Sequence, residues 1–170
     1  MSGRGSAGAA LRVEDLRVSY RTGRGPVLAA DGVGFSIGRG ECLGLVGESG
    51  SGKSTTAIAL MRLIRPPGMI ESGRVWLGGQ ELLGLPEEEM RQVRFARVSL
   101  IPQGAMNSLN PVMRTGDQIA DTITAHEGGL TRSGLDRRVA ELLAMVELEP
   151  SAARAFPHEL SGGMKQRVCM

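Results

Sequence analysis

The residues best suited to chemistry form one run, Gly47-Glu48-Ser49-Gly50-Ser51-Gly52-Lys53-Ser54-Thr55. It fits the pattern G-x-x-x-x-G-K-[ST], placed between an apolar stretch and an apolar segment of helix-forming residues, the setting in which this pattern makes a phosphate-binding loop. Glycines let successive backbone N–H groups converge on phosphate oxygens, and a helix starting there adds its partial positive charge. Lys53 is a compact ammonium able to reach β- and γ-phosphates, where a fork-shaped guanidinium would be bulkier. The hydroxyl of Ser54 suits Mg²⁺, which takes oxygen ligands and keeps several waters. Glu48 is expected to face solvent or cap the loop rather than act as a base.

A second run, Leu160-Ser161-Gly162-Gly163-Met164-Lys165-Gln166-Arg167, carries an N-cap residue, two glycines that leave backbone amides uncovered, and helix formers. Physics alone leaves two readings open here, an anion site and an ordinary capped helix. His126 and His158 are not spaced with Cys42 or Cys169 as metal ligands would be, and neither histidine is assigned to catalysis.

The elements must position these two runs. Leu16, Val18 and Tyr20 alternate with polar residues as in a half-buried strand, and Val33, Phe35 and Ile37 alternate again. The turn-rich segment Arg21 to Pro26 lies between them, so the chain is expected to start with antiparallel strands. Cys42, Leu43, Leu45 and Val46 are continuously apolar and predict a strand covered on both faces of a mostly parallel sheet, with Cys42 a buried reduced thiol. Ser54 to Ile64 predicts a buried helix closed by Pro66, Pro67 and Gly68. Gly73 to Leu77 reads as a brief strand. Pro86 opens a helix with Glu87, Glu88 and Glu89 at its positive end and Arg91 and Arg94 at its negative end. Arg97 to Ile101 reads as a strand leading to Pro102 and Gln103. From Thr115 onward the pattern is helical, with Ile119 and Ile123 one turn apart and an apolar stripe through Leu135, Val139, Leu142, Leu143 and Val146.

Composition sets the limits around this plan. The chain has 170 residues, 25 of them Gly, with 20 Lys plus Arg against 18 Asp plus Glu; a net charge of +2 excludes an acidic tail protein and gives no argument for nucleic acid. Only two of the basic residues are lysines, Lys53 and Lys165, and each lies in one of the two glycine-rich runs. Two cysteines make no disulfide framework, so the compartment reads as reducing. Met1 to Leu11 lacks the apolar core of a signal peptide, and the longest uncharged stretch, Val98 to Met113, is too short and too polar to span a bilayer.

Together the two runs resemble the nucleotide-binding subunit of an ABC transporter. LSGG separates that family from other P-loop ATPases. A closer resemblance covers Leu11 to Met170 and is to peptide importers of the oligopeptide/dipeptide type, with nickel and some sugar importers sharing the segments. It is carried by LVGESGSGKST at Leu45 to Thr55, IPQGAMNSLNPVM at Ile101 to Met113 and FPHELSGGMKQRV at Phe156 to Val168.

The resemblance implies an α/β fold: a P-loop (RecA-like) core with an antiparallel β subdomain over residues 11–112, and a helical subdomain over 113–170 ending in the signature helix, after a flexible 1–10. ATP and Mg²⁺ are the implied cofactors. Tyr20 takes the place of the aromatic that stacks on adenine, with a half-buried strand-end tyrosine as the plainer reading. Gly47, Glu48, Ser49, Gly50, Ser51, Gly52, Lys53, Ser54 and Thr55 hold the phosphates, and Ser54 ligates Mg²⁺. Gln103 takes the place of the glutamine that touches Mg²⁺ or the attacking water. Ser161, Gly162 and Gly163 contact the γ-phosphate held by an opposite subunit. Implied partners are a second ATP-binding subunit, identical or not, two membrane permeases, and through them an external solute-binding protein; nucleic acid is not among them. The implied location is the cytoplasmic face of the cell membrane.

No residue up to Met170 matches the family's Walker B aspartate, catalytic glutamate, D-loop or switch histidine. The expectation is therefore a chain lacking the C-terminal part of the cassette, binding nucleotide poorly and not hydrolysing it alone, with apolar surface exposed from Leu43 to Val46. The alternatives are a soluble ABC-family ATPase of DNA repair or translation, and a short non-hydrolysing nucleotide-binding regulator.

Overall fold

The computed structural model describes residues 8–102 and 104–170, the side chain of Phe95 excepted. They fall into two compact units that divide between Leu100 and Ile101.

The first unit is built on a four-stranded antiparallel sheet. Its strands are β1 (Ala9–Thr22), β2 (Gly25–Gly38), β3 (Gly68–Leu77) and β4 (Gln80–Glu81), in the order β2-β1-β3-β4. The alternation expected around Leu16 and Val18 places both at 0% exposure in the central strand, where each buried side chain of that size contributes about 2 kcal/mol. Val18 pairs with Ala30 on one side and Ile70 on the other; Tyr20 pairs with Val27 and Gly68. The first turn is tighter than its sequence suggests. Only Gly23 and Arg24 separate the strands, because the Thr22 hydroxyl accepts from the Arg24 N–H at 3.2 Å and donates to the Gly25 carbonyl at 2.7 Å. β3 likewise starts five residues before the expected Gly73, since Gly68, Met69 and Ile70 find partners in Tyr20, Ser19 and Val18.

Helix α1 (Lys53–Leu60) ends earlier than its apolar pattern predicts. Arg62 takes a left-handed conformation at φ 52°, the Leu63 N–H returns to the Ile58 carbonyl and the Arg62 N–H to the Ala59 carbonyl, which closes the helix and leaves Leu63 and Ile64 outside it. Helix α2 (Glu87–Ala96) forms as expected, with three glutamates in its first turn and Arg94 in its last. Ala59 from α1, Met90 and Val93 from α2 and Leu82 pack with Val13, Leu16, Val18, Ala30 and Val75 into one core.

Two expected strands are absent among the described residues. Residues 41–48 form no ladder; Cys42 is exposed rather than buried, and Val46 is 91% exposed. Arg97 to Ile101 forms only a single bridge, at Val98. Apolar patterning supplies a reason to be buried, but a strand also needs a neighbour to take up its N–H and C=O groups, and the described sheet ends elsewhere. The apolar surface expected from Leu43 to Val46 is thus present.

The second unit is helical: α3 (Thr115–His126), α4 (Arg132–Met145) and α5 (Gly162–Val168), with short 3₁₀ turns at Ala105–Ser108, Pro150–Arg154 and Pro157–Glu159. The expected stripe is its core, with Val139 and Leu143 packed against Ile123, Leu148, Ala152 and Leu160. Thr115, fully buried at the start of α3, bonds the Ala155 carbonyl through both its N–H (2.9 Å) and its hydroxyl (3.0 Å). This fixes the segment that leads into α5. Among the described residues no helix is long and apolar enough to cross a membrane.

Candidate nucleotide-binding site

The Gly47–Thr55 run forms the turn into α1 as the sequence predicts. Gly52 is the N-cap residue, at φ 88° in the left-handed region, and no side chain caps the helix. A methyl group at Gly52 would stand 2.0 Å from the Ala29 carbonyl oxygen of β2, so the loop lies directly on the sheet at a spot only glycine permits. Among the described residues, the backbone N–H groups of Lys53, Ser54 and Thr55 find no acceptor. The first intrahelical bond runs from Thr56, whose N–H (2.8 Å) and hydroxyl (3.0 Å) both reach the Gly52 carbonyl. Donors left without partners at the positive end of a helix favour an anion there.

Lys53 leans back over the loop. Its ammonium donates to the Gly47 carbonyl at 2.7 Å, the Glu48 carbonyl at 2.6 Å and the Ser51 hydroxyl at 3.1 Å. Glu48 contributes a carbonyl and its side chain is exposed, in keeping with the solvent-facing or capping reading. Ser49 and Gly50 are exposed at the loop's tip, as is Ser54 just inside the helix. Tyr20 is close by through the sheet. It pairs with Val27, two residues along β2 from the Ala29 that carries Gly52, a strand distance of about 7 Å. Its ring is half-buried over Gly68, where an added Cβ would stand 2.6 Å from Cε1.

The far end of α1 is also held. Arg94 donates to the Met61 carbonyl at 2.8 Å, Arg62 donates to the Leu85 carbonyl at 2.5 Å, and both guanidiniums flank Glu87. The hydrogen bond from Arg94, aided by the charges of Arg94 and Arg62, holds the Glu87 carboxyl below the usual glutamate range.

The second predicted site lies in the other unit. Ser161 caps α5 as expected, its hydroxyl accepting from the Met164 N–H at 3.3 Å. Gly162 and Gly163 are exposed, with open space where a Cβ would be. Arg167 of α5 donates to the Glu147 carbonyl at 2.9 Å, and the Cys169 thiol reaches the Ala105 carbonyl at 3.4 Å, tying the helix at both faces. Gln103 lies outside the described residues. No cluster of three or more His, Cys, Asp or Glu among the described residues is arranged to hold a metal.

Residues 30–170 match the family model described as ABC transporter. The chain belongs to the ABC transporter family. It is 44% identical over 159 residues to the dipeptide transport ATP-binding protein DppD of Caldanaerobacter subterraneus, covering 93% of this chain and 49% of that protein. It is also 44% identical over 161 residues to the oligopeptide transport ATP-binding protein OppD of Bacillus subtilis, covering 93% of this chain and 45% of that one. The chain thus spans about half the length of the curated relatives it matches. Among solved structures it resembles the dimeric ATP-binding cassette MJ0796, in a post-hydrolysis state bound to ADP and Pi, with a TM-score of 0.74 at 25% identity over 94% of this chain and 66% of that one. The α/β fold with its antiparallel sheet is that of a P-loop cassette, and the ABC family uses ATP with Mg²⁺.

Sequence reasoning missed two participants. Ala29 supports the loop from a distant strand and has no local signature. Thr56 falls just beyond the motif, although a threonine four residues after a glycine cap has an evident use in bonding back to it.

Proposed function

We propose that this chain provides the nucleotide-binding part of an ATP-binding subunit that couples ATP binding and hydrolysis to uptake of peptides or a similar solute. The observation that supports this reading is the start of α1: three backbone donors without acceptors among the described residues, beside the Lys53 ammonium, in a chain 44% identical to a dipeptide transport ATP-binding protein. In this reading the amides of Lys53, Ser54 and Thr55 and the Lys53 ammonium hold the phosphate chain. The loop residues Gly47 to Gly52 shape the cradle, and the exposed Ser54 hydroxyl is the Mg²⁺ ligand. Tyr20 stacks on the base. Gln103 contacts Mg²⁺ or the attacking water. Ser161, Gly162 and Gly163 meet the nucleotide of a second ATP-binding subunit, so that paired subunits enclose two ATP. Residues 11–112 act as the P-loop core with its β subdomain, and 113–170 as the signature subdomain. The pair works on two membrane permeases at the cytoplasmic face, with solute delivered by an external binding protein.

The reading is tested by titrating the whole ATP-binding subunit with MgATP in a calorimeter. Lys53→Ala is expected to lower ATP affinity by at least about 100-fold, because it removes the charge facing the phosphates. Unchanged affinity would sink the proposal.

A further inference from the structure

We infer that Ser51 is a positioning residue for Lys53, acting on the bound phosphate chain through that lysine; the inference rests on the nucleotide-binding reading above. A lysine ammonium has three donors. Here two are committed to backbone carbonyls at 2.7 and 2.6 Å, and the third goes to the Ser51 hydroxyl at 3.1 Å. The two carbonyl bonds hold the ammonium down on the loop. With two N–H groups placed, the tetrahedral ammonium has its third direction set, and the Ser51 hydroxyl lies there as a third anchor, the longest bond of the set.

Ser51 is itself held in place. Its N–H bonds the Glu48 carbonyl at 3.2 Å, closing the turn, and its hydroxyl lies 2.7 Å from where a Cβ at Gly47 would be. Glycine at position 47 therefore gives this hydroxyl its space, and any side chain there would push it off the lysine. A flexible four-carbon stem is expensive to order on its own. With Ser51 added to the two carbonyls as a third anchor, that ordering is more nearly complete when phosphate arrives. The contact does not compete seriously with the ligand, because a bond to an ionised phosphate oxygen is roughly twice as strong as one to a neutral hydroxyl. The N–H held by Ser51 is the one the ammonium can pass to the phosphate while keeping both carbonyls.

The test is a double-substitution cycle in the whole ATP-binding subunit, with ATP affinity measured calorimetrically and folding checked by thermal melting. Ser51→Ala is expected to weaken ATP binding about five-fold in the otherwise natural chain and less than two-fold in the Lys53→Ala background. Ser51→Cys keeps the shape of the side chain with a somewhat larger atom that is a weak acceptor, and it is expected to share the loss. AMP, which lacks the phosphates that Lys53 serves, should bind Ser51→Ala and the natural chain alike. An equal loss in both backgrounds, natural affinity in Ser51→Ala or Ser51→Cys, or tighter binding would overturn the positioning role. If Lys53→Ala itself has no effect on ATP, the nucleotide-binding reading fails instead.

Discussion

The start of α1 and the start of α5 are both glycine-rich and both proposed to meet phosphate, yet they treat their backbone donors differently. At α1 no side chain caps the helix, and the N–H groups of Lys53, Ser54 and Thr55 have no acceptor among the described residues. At α5 the Ser161 hydroxyl takes the Met164 N–H, and only the exposed Gly162 and Gly163 remain bare. The first, among the described residues, keeps its donors free with the Lys53 ammonium on the same loop, which is why it is proposed as the phosphate cradle. The second is a finished helix start with a flat, side-chain-free surface, suited to pressing against something that another molecule carries. The same residue type serves opposite ends: Gly52 is needed because backbone lies against it, Gly163 because nothing does.

The sharpest way to break this contrast is to add one methyl group at each position. Gly52→Ala meets the Ala29 carbonyl at 2.0 Å and also forces alanine into a left-handed conformation, at about 1–2 kcal/mol for the backbone alone. It should abolish measurable ATP binding and lower the unfolding midpoint. Gly163→Ala lies in a helical conformation with open space around it, and should stabilise the chain by about 0.5–1 kcal/mol in urea denaturation. ATP binding by a single subunit should be unchanged, while turnover by paired subunits should fall. Similar losses of binding in both variants would mean that the two glycine runs are not doing different things.

The cap offers a smaller test. Ser161→Ala removes the acceptor for the Met164 N–H and should cost about 1 kcal/mol of stability by urea denaturation. No equivalent loss is available at α1, where Gly52 contributes no side chain; Ser54→Ala there should leave the stability unchanged to within about 0.5 kcal/mol. A Ser161→Ala chain as stable as the natural one would show that α5 starts as open as α1.

How much of this was legible beforehand follows from which interactions are local. The motif glycines, Lys53 and the Ser161 cap are fixed by spacing within a few residues, and all appear where the sequence puts them. The apolar stripe of α4 was equally plain, because Val139 and Leu143 are one turn apart on the same helix. Cys42 to Val46 has the composition of a buried strand, but a strand is half of a pair and composition cannot provide the other half. α1 ended a turn early because Arg62 adopted a left-handed cap that a run of apolar letters does not announce. Ala29 was invisible for the same kind of reason, since its role depends on the loop of residues 47–52 folding back across β2.

The two helices differ at their far ends as well, and there the expected effects are smallest. Beyond α1, Glu87 is held by Arg94 and Arg62 with its carboxyl below the usual glutamate range, chiefly by the Arg94 hydrogen bond. A lowered folded value means that the ion-pair contribution is present above the ordinary glutamate pKa and is lost as pH falls through the folded one. At the end of α5, burial pushes the Cys169 thiol up, against a weaker opposing hydrogen bond from Ser108. A raised folded value means that its contribution is present below the ordinary thiol pKa and is lost as pH rises through the folded one. Urea midpoints measured across pH should therefore separate the ends: Glu87→Gln flattens the acid side of the profile and leaves the alkaline side alone, whereas Cys169→Ser does the reverse. Because Glu87 is exposed and the thiol only partly covered, each change should be a modest slope rather than a collapse. If Glu87→Gln leaves the acid slope intact, the ion pairs of Arg62 and Arg94 with Glu87 do not anchor α1, and its far end is held by the bonds of Arg94 to the Met61 carbonyl and of Arg62 to the Leu85 carbonyl.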